Sequence, residues 1–232
     1  MKGRFLLALA TAVAIAAPAG LAPTAANAQA QRDWTRTVVA TPEGGFRMGN
    51  PSARLRIVEF VSLTCPHCRN FAATGGPQII RRVRSGEASF ELRSFVLNPF
   101  DAAAALVNRC ASPQNYFALN DAILAEQPQW VARLETLSAE QARQIEALPD
   151  MQRLARLASI AGVDRIAARF GVTPQRARAC LTDPAGLERL ATMRAAASQL
   201  GVGGTPSFLV NGGLAEGVHD WAALEPLLSP GS

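Results

Sequence analysis

Three segments of the chain follow the pattern of buried β-strands. Residues 55–61, LRIVEFV, are almost all apolar and β-branched, which is typical of a strand covered on both faces in a parallel sheet. Residues 89–97 place apolar side chains at even positions and predict a second strand. Residues 207–210, SFLV, predict a third strand, and Asn211-Gly212-Gly213 predicts a tight turn into residues 214–217.

A helix is predicted directly after the first strand. Thr64 or Cys65 can act as its N-cap, and Pro66 suits the first helical position because the N–H that proline lacks would be unpaired there. The Gly-Gly-Pro sequence at residues 75–77 is expected to interrupt or kink this helix. The helix and its two flanking strands form a β-α-β unit.

From residue 101 to about residue 200 the apolar period becomes helical. Helix starts are indicated at Ser112-Pro113, Ser138, Asp150, Thr173-Pro174 and Asp183-Pro184. With no convincing strand pattern, this stretch predicts an all-helical block of five or six helices. A last helix is expected from Asp220, with a break at Pro226.

This order of elements predicts an α/β fold that is split by a large all-helical insertion. We expect residues 29–98 and 201–232 to form a discontinuous sheet domain and residues 99–200 to form the inserted helical domain. Residues 29–54 are polar and rich in turn residues, with one short strand candidate at residues 36–40. We interpret them as a lead-in that is too short to be a domain.

The first 28 residues have the pattern of a secretory signal peptide. Lys2 and Arg4 precede an apolar run over residues 5–17, and Ala26-Asn27-Ala28 forms a cleavage sequence. An uncleaved membrane anchor is the alternative, but this run is too short for a hydrocarbon core about 30 Å thick. We therefore expect export to the periplasm, an oxidising compartment in which thiols tend to pair.

The composition excludes several classes of protein. With 49% hydrophobic and 18% charged residues, the chain is not a disordered segment, and four cysteines are too few for a disulfide-knotted miniprotein. The formal charge of +5 becomes +3 after cleavage, because the leader contains two positive charges and no acidic residue. The densest basic cluster, Arg81, Arg82 and Arg84, has no interleaved aromatic residues, so we expect no nucleic-acid partner.

The candidate chemistry lies in Cys65-Pro66-His67-Cys68, at the turn from the first strand into the helix. This spacing puts both sulfurs on one helix face, close enough for a disulfide. Free N–H groups at a helix start stabilise an anion, so we expect Cys65 to be an exposed, low-pKa thiolate and Cys68 to be its buried partner. His67 can hydrogen-bond to the Cys65 sulfur or act on it as a partial positive charge. Stabilising this thiolate stabilises the reduced protein and makes the disulfide more oxidising.

Two other uses of these cysteines are open. A zinc site would need two more ligands, and the chain has no second Cys-x-x-Cys pair, although Cys110, Cys180 or His219 could be recruited from a distance. An inert structural disulfide is the other alternative. We expect neither a metal nor another cofactor.

Thr205-Pro206 precedes the third strand and follows several glycines. Because only about 5% of X-Pro bonds in folded proteins are cis, the sequence leaves the isomer open. A cis bond would turn the Thr205 backbone towards the disulfide, where it could pair with an extended segment of a substrate.

The strand, the Cys-Pro-His-Cys tetrapeptide, the helical insertion and the Gly-Gly-Thr-Pro-Ser-Phe sequence before a hairpin resemble the DsbA-like thiol:disulfide oxidoreductases of the bacterial periplasm. The resemblance covers nearly all of residues 55–229 and implies a thioredoxin fold with a strongly acidic thiol. It also implies that Glu59, on the first strand, lies under the site and shuttles the proton of Cys68; a glutamate facing solvent is the alternative. Some members carry a second, non-catalytic disulfide, which Cys110 and Cys180 match; two separate buried thiols are the alternative.

The resemblance implies a monomeric dithiol oxidase that acts on reduced exported proteins and is reoxidised by a DsbB-like membrane quinone reductase. A disulfide isomerase is the nearest rival, but residues 29–54 are too short for the dimerisation domain of periplasmic isomerases. A reductant for cytochrome c assembly typically has tryptophan where this chain has Thr64. A non-catalytic peptide-binding chaperone would use the same groove around Pro206 without the thiols.

Overall fold

The computed structural model describes residues 32–229, so the expected signal peptide lies outside the described residues. The described chain has a six-stranded sheet, eleven α-helices and two short 3-10 turns. The strands are β1 (Val38–Ala40), β2 (Phe46–Gly49), β3 (Leu55–Val61), β4 (Ala88–Ser94), β5 (Ser207–Val210) and β6 (Gly213–Leu214). The helices are α1 (Pro66–Thr74), α2 (Gly76–Ser85), α3 (Pro99–Arg109), α4 (Pro113–Ala125), α5 (Gln127–Glu135), α6 (Ala139–Glu146), α7 (Asp150–Ala161), α8 (Val163–Ala168), α9 (Pro174–Leu181), α10 (Pro184–Gln199) and α11 (Trp221–Leu224).

Strand β3 lies inside the sheet, as its apolar sequence predicts. The strand order is β1-β2-β4-β3-β5-β6, with β3 parallel to β4 and antiparallel to β5. Strand β4 ends at Ser94, earlier than expected, because the chain leaves the ladder once the Phe95 N–H has donated to the Val61 carbonyl at 2.8 Å.

The described part of the expected lead-in, residues 32–54, contributes two strands to the sheet. Strands β1 and β2 pair with each other, and β2 pairs antiparallel with β4, so this segment forms one edge of the sheet. The sequence pattern did not predict strand β2, because the strand is short and lies between glycines. Its side chains at Phe46 and Met48 are nevertheless buried, and the ring of Phe46 stacks on that of Tyr116 at 4.0 Å.

The Gly-Gly-Pro sequence separates α1 from α2, as predicted. A Cβ atom on Gly75 would lie 2.6 Å from the ring of Phe71, so only glycine allows the chain to turn this close to α1. Phe71 in turn packs against Phe208 of β5, with ring centroids 4.6 Å apart. The break between the two helices therefore keeps α1 against the sheet.

The helical insertion contains eight helices between residues 99 and 199, where five or six were expected. The predicted starts are confirmed; Ser138, for example, forms a capping box with Gln141. Two helices for which no start was predicted, α5 and α8, begin without a side-chain cap, at Glu126 and at the left-handed Gly162. No helix within residues 32–229 is long and apolar enough to cross a membrane.

The C-terminal hairpin is tighter than expected. Its loop is Asn211-Gly212, and both residues have positive φ, 52° and 94°, as a two-residue hairpin turn requires. Strand β6 is accordingly Gly213–Leu214 instead of residues 214–217. Asp220 caps α11, and the helix gives way to a 3-10 turn (Glu225–Leu228) that contains Pro226, as predicted.

Helix α3 connects the sheet to the insertion. Every residue from Asp101 to Asn108 is buried, and the run of alanines allows α4, α7 and α9 to pack closely around the helix. Its first turn follows β4, and its C-cap is Cys110. Cys110 is bonded to Cys180 of α9, with Cα atoms 6.1 Å apart, so the two cysteines are not separate thiols.

Replacing Cys110 and Cys180 with serine should lower the free energy of unfolding. A bond across 70 residues restricts the unfolded chain, and the loop-entropy model puts its contribution at about 4 kcal/mol. Urea denaturation of both proteins with Cys65 and Cys68 reduced measures the difference. Alkylation of either cysteine in denatured, unreduced wild-type protein would contradict the bond.

Candidate active site

Cys65 occupies the turn between β3 and α1. It is the N-cap residue of α1, in an extended conformation, and Pro66 follows at the first helical position, as predicted. Cys65 and Cys68 are both free thiols in the structure. Cys68 lies one turn inside the helix and is completely buried.

The environment of Cys65 favours its thiolate. Its pKa is lowered from 9.0 to about 5, chiefly because the Cys68 thiol donates a hydrogen bond to the sulfur. The Thr205 side chain and the backbone N–H groups of Cys68 and His67 lower the pKa further, against the opposing effect of burial. The N–H groups at the start of α1 therefore stabilise the thiolate, as expected.

The expectation that Cys65 is exposed is wrong, and the expected hydrogen bond from the His67 side chain is not among the described contacts. Cys65 is only 6% exposed, because its sulfur lies beneath the Thr205 carbonyl, which accepts its hydrogen bond at 3.2 Å. His67 acts on the thiolate through its backbone N–H. The residue is exposed, and its side chain forms no hydrogen bond to Cys65 among the described contacts.

The pKa of Cys68 shifts in the opposite direction. Burial raises it strongly, and the hydrogen bond to Cys65 and the negative charges of Glu59 and Cys65 raise it further. At neutral pH the pair therefore combines an ionised sulfur at Cys65 with a protonated one at Cys68.

Glu59 lies under the site and does not face solvent. It is 3% exposed, and burial, followed by the charges of Asp121 and Cys65, raises its pKa well above the ordinary value. Its Oε1 atom is buried without a hydrogen-bond partner among the described residues. A buried carboxyl group with an unused oxygen, electrostatically coupled to Cys68, has the chemistry of a proton donor and acceptor.

Thr205 and Pro206 bring the start of β5 beside Cys65. The Thr205–Pro206 peptide bond is cis. While the Thr205 carbonyl contacts the Cys65 sulfur, the Pro206 carbonyl lies 2.7 Å from Nδ1 of His219. The Thr205 hydroxyl is buried and has no well-aligned hydrogen bond among the described residues, although it helps to lower the pKa of Cys65.

Two further residues at the turn escaped the sequence patterns. Asp101 and Gln127 are 1% and 3% exposed and bind the backbone of residues 63–65. The available signal for Asp101 is an acidic residue that begins an otherwise apolar, alanine-rich helix. Gln127 shows no comparable signal, because its partners are more than 60 positions away.

The structure does not bring the other possible zinc ligands together with Cys65 and Cys68. Cys110 and Cys180 are bonded to each other, and Nδ1 of His219 lies 2.7 Å from the Pro206 carbonyl. Within residues 32–229, no three His, Cys, Asp or Glu side chains are grouped so that they could hold a metal ion.

The strand order and the order of the elements define a thioredoxin fold with a helical insertion between β4 and β5. The Cys65 turn adds a dithiol site at the start of α1. A family model described as thioredoxin matches residues 41–229. The chain belongs to the thioredoxin family, and its sequence relatives are named as protein-disulfide oxidoreductases.

Two solved structures illustrate the similarity. The crystal structure of a protein-disulfide isomerase from Novosphingobium aromaticivorans has a TM-score of 0.73 and 36% identity, over 79% of this chain and 94% of that chain. Wolbachia pipientis alpha-DsbA1 shares the fold with a TM-score of 0.62 and 21% identity, over 78% of this chain and 87% of that chain.

Two sequence relatives are provisionally named protein-disulfide oxidoreductases. The Rickettsia bellii protein is 27% identical over 201 residues, 84% of this chain and 69% of the relative. The Rickettsia conorii protein is 27% identical over 168 residues, 71% of this chain and 52% of the relative. The chain thus spans about half of the second relative.

The Cys65 thiolate should titrate with a pKa of about 5 in the reduced protein. Because this value lies below the ordinary one, ionisation stabilises the folded reduced protein at high pH, and that contribution is lost as the pH falls through 5. Thiolate absorbance at 240 nm between pH 3 and pH 9 measures the transition. It should disappear in Cys65→Ser, and a transition near pH 9 in the wild type would contradict the prediction.

Proposed function

We propose that the protein is a dithiol oxidase that donates a Cys65–Cys68 disulfide to reduced exported proteins. The observation that carries the proposal is the opposite pKa shift of the two thiols. A stabilised Cys65 thiolate favours the reduced form of the protein, so its disulfide tends to give up its oxidising equivalents.

The reaction proceeds through a mixed disulfide. A substrate thiolate attacks the Cys65 sulfur, the Cys65–Cys68 bond breaks, and Cys68 leaves and takes up a proton. A second substrate thiolate then attacks the substrate sulfur of the mixed disulfide, and Cys65 leaves as a thiolate. The substrate loses two electrons to form its disulfide, and the protein gains them as a dithiol.

Cys65 suits the second step because a thiol of low pKa is a good leaving group. Glu59 suits the first step, since Cys68 becomes a thiol of raised pKa and needs a proton where solvent is excluded. We assign to Glu59 the transfer of that proton, because its carboxyl group is buried, is protonated more readily than usual and has a free oxygen.

The start of β5 is suited to hold the substrate backbone. Two backbone carbonyls of this segment already have partners within the protein. That of Pro206 contacts the His219 side chain, and that of Phe208 accepts from the Ala215 N–H. The Thr205 carbonyl instead points to Cys65. We propose that an extended substrate segment pairs with Thr205 beside Pro206, which brings its cysteine to the Cys65 sulfur.

The setting of this reaction is also part of the proposal. The leader-like residues 1–28 support export to the periplasm, where reduced proteins await oxidation. Reoxidation requires an electron acceptor, and the family resemblance favours a DsbB-like membrane quinone reductase. We propose that the protein works as a monomer without a bound cofactor.

Disulfide isomerisation is the second candidate, because the 36% identical Novosphingobium protein is named an isomerase. The same Cys65 thiolate can attack a wrong disulfide in a substrate. A reductant for cytochrome c assembly is less well supported, given Thr64 before the first cysteine and the large insertion. A chaperone would not need two thiols with opposite pKa shifts.

The oxidised protein should oxidise reduced ribonuclease at stoichiometric amounts, and Cys65→Ser should abolish this activity. Equilibration with glutathione should give a potential nearer that of DsbA, about −120 mV, than that of thioredoxin, about −270 mV. The Cys110→Ser/Cys180→Ser variant is the matched control and should retain the activity. A potential near −270 mV would contradict the oxidase assignment and indicate a reductant instead.

The same assay separates the rivals. An isomerase would recover activity from scrambled ribonuclease faster than it oxidises reduced ribonuclease. In a chaperone, Cys65→Ser would still bind a reduced peptide and suppress its aggregation as well as the wild type does.

Glu59→Gln should slow mixed-disulfide formation by about a hundredfold, the lower end of what general acid–base catalysis contributes. It should also change the pH dependence of this step, because glutamine cannot transfer a proton. Stopped-flow measurements with a reduced peptide test this. Glu91→Gln is the control, since Glu91 is buried on the neighbouring strand but pairs with Arg93 at 2.7 Å. An unchanged pH dependence in Glu59→Gln would exclude the proton transfer.

A further inference from the structure

The backbone of Leu63, two residues before Cys65, is held by side chains from the helical insertion. Its N–H donates to Oδ1 of Asp101 at 2.8 Å, and its carbonyl accepts from Nε2 of Gln127 at 2.8 Å. Leu63 is 3% exposed. Because a buried backbone group without a partner is costly, these two side chains supply bonds that water cannot provide.

Gln127 extends this contact to Cys65 itself. The same Nε2 atom donates to the Cys65 carbonyl at 3.0 Å, a group that also accepts from the Arg69 N–H at 3.2 Å as α1 begins. Gln127 is the first residue of α5. One buried amide group thus joins the backbone before Cys65 to the first turn of α1.

Asp101 ties the same segment to the neighbouring strand. Its second oxygen, Oδ2, accepts from the Leu97 N–H at 2.9 Å, so one carboxylate bridges the segments that follow the parallel strands β3 and β4. Asn98 caps α3 by accepting from the Asp101 N–H, and it also donates to Oγ1 of Thr64 at 3.1 Å. The start of α3 is therefore fastened to the turn at two successive residues.

We propose that Asp101 and Gln127 are positioning residues for Cys65. By fixing Leu63 and the Cys65 carbonyl, they hold the sulfur where the Cys68 thiol and the N–H groups of His67 and Cys68 favour its thiolate. The kinetic consequence rests on the proposed oxidase function, whereas the ionisation of Cys65 does not. The helical insertion accordingly supplies hydrogen bonds to the reactive turn that neither the sheet nor α1 provides.

Gln127→Met tests the proposal with a side chain of similar length that cannot donate hydrogen bonds. The pKa of Cys65 should rise from about 5 towards the ordinary value, as measured by thiolate absorbance. Reaction of the oxidised variant with a reduced peptide should slow by at least about tenfold, as expected for a misplaced reacting group. Asp101→Asn keeps one acceptor and should speed hydrogen exchange at the Leu63 amide by at least about tenfold.

Asn108→Ala is the matched control. Asn108 is buried in α3, like Asp101, but its side chain bonds to Asn120 of α4 and not to residues 62–65. It should leave the pKa of Cys65 unchanged even if the melting temperature falls. An unchanged pKa and rate in Gln127→Met, or an equal shift of the pKa in Asn108→Ala, would overturn the proposal.

The wild-type protein provides a test that no folding defect can obscure. The amides of Leu63 and Leu97 should exchange slowly, and their proton shifts should move together as the shared carboxylate of Asp101 titrates. Fast exchange at Leu63 would overturn the proposal. Slow exchange in a wild-type protein that fails to oxidise the peptide would support the positioning and contradict the oxidase function.

Discussion

An anionic sulfur at Cys65, next to a buried neutral one at Cys68, is the constraint on which the rest of the site depends. Burial alone would raise both pKa values, so Cys65 must gain more from hydrogen-bond donors than it loses through desolvation. The Cys68 thiol and the N–H groups at the start of α1 are donors of this kind. Their effect depends on the orientation of the helix, which makes the position of α1 as important as its sequence.

Several elements of the fold serve that orientation. Pro66 and Gly75 set the two ends of α1, and the contact between Phe71 and Phe208 holds the helix against β5. Helix α3 works from the other side. Its first turn binds the segment before Cys65, and its last turn leads to the Cys110–Cys180 bond. One buried helix thus couples the reactive turn to the disulfide-bonded part of the insertion.

The sequence predicted the parts of the structure that local chemistry determines. Strand β3 and the caps at Ser138 and Thr173 follow from apolar runs and capping side chains, and Cys65, Cys68 and Glu59 follow from one short segment and a family resemblance. Strand β2 was missed, because pairing with β4 and burial of Phe46 outweigh its weak local pattern. Asp101 and Gln127 were missed for a related reason. Their hydrogen bonds join segments that are far apart in the sequence, and local spacing patterns do not predict such contacts.

Two buried acidic residues that act on this turn, Asp101 and Glu59, differ in how their oxygens are used, and the difference separates their roles. Burial raises the pKa of both Asp101, to about 6, and Glu59. Asp101 accepts from the Leu63 and Leu97 amides, so a proton on this carboxyl group would compete with bonds that shape the turn. Glu59 has a buried oxygen without such a bond among the described residues, so it can gain or lose a proton without breaking the structure around it. A carboxylate with both oxygens bound is suited to hold Cys65 in place, and one with a free oxygen is suited to move the proton that Cys68 requires.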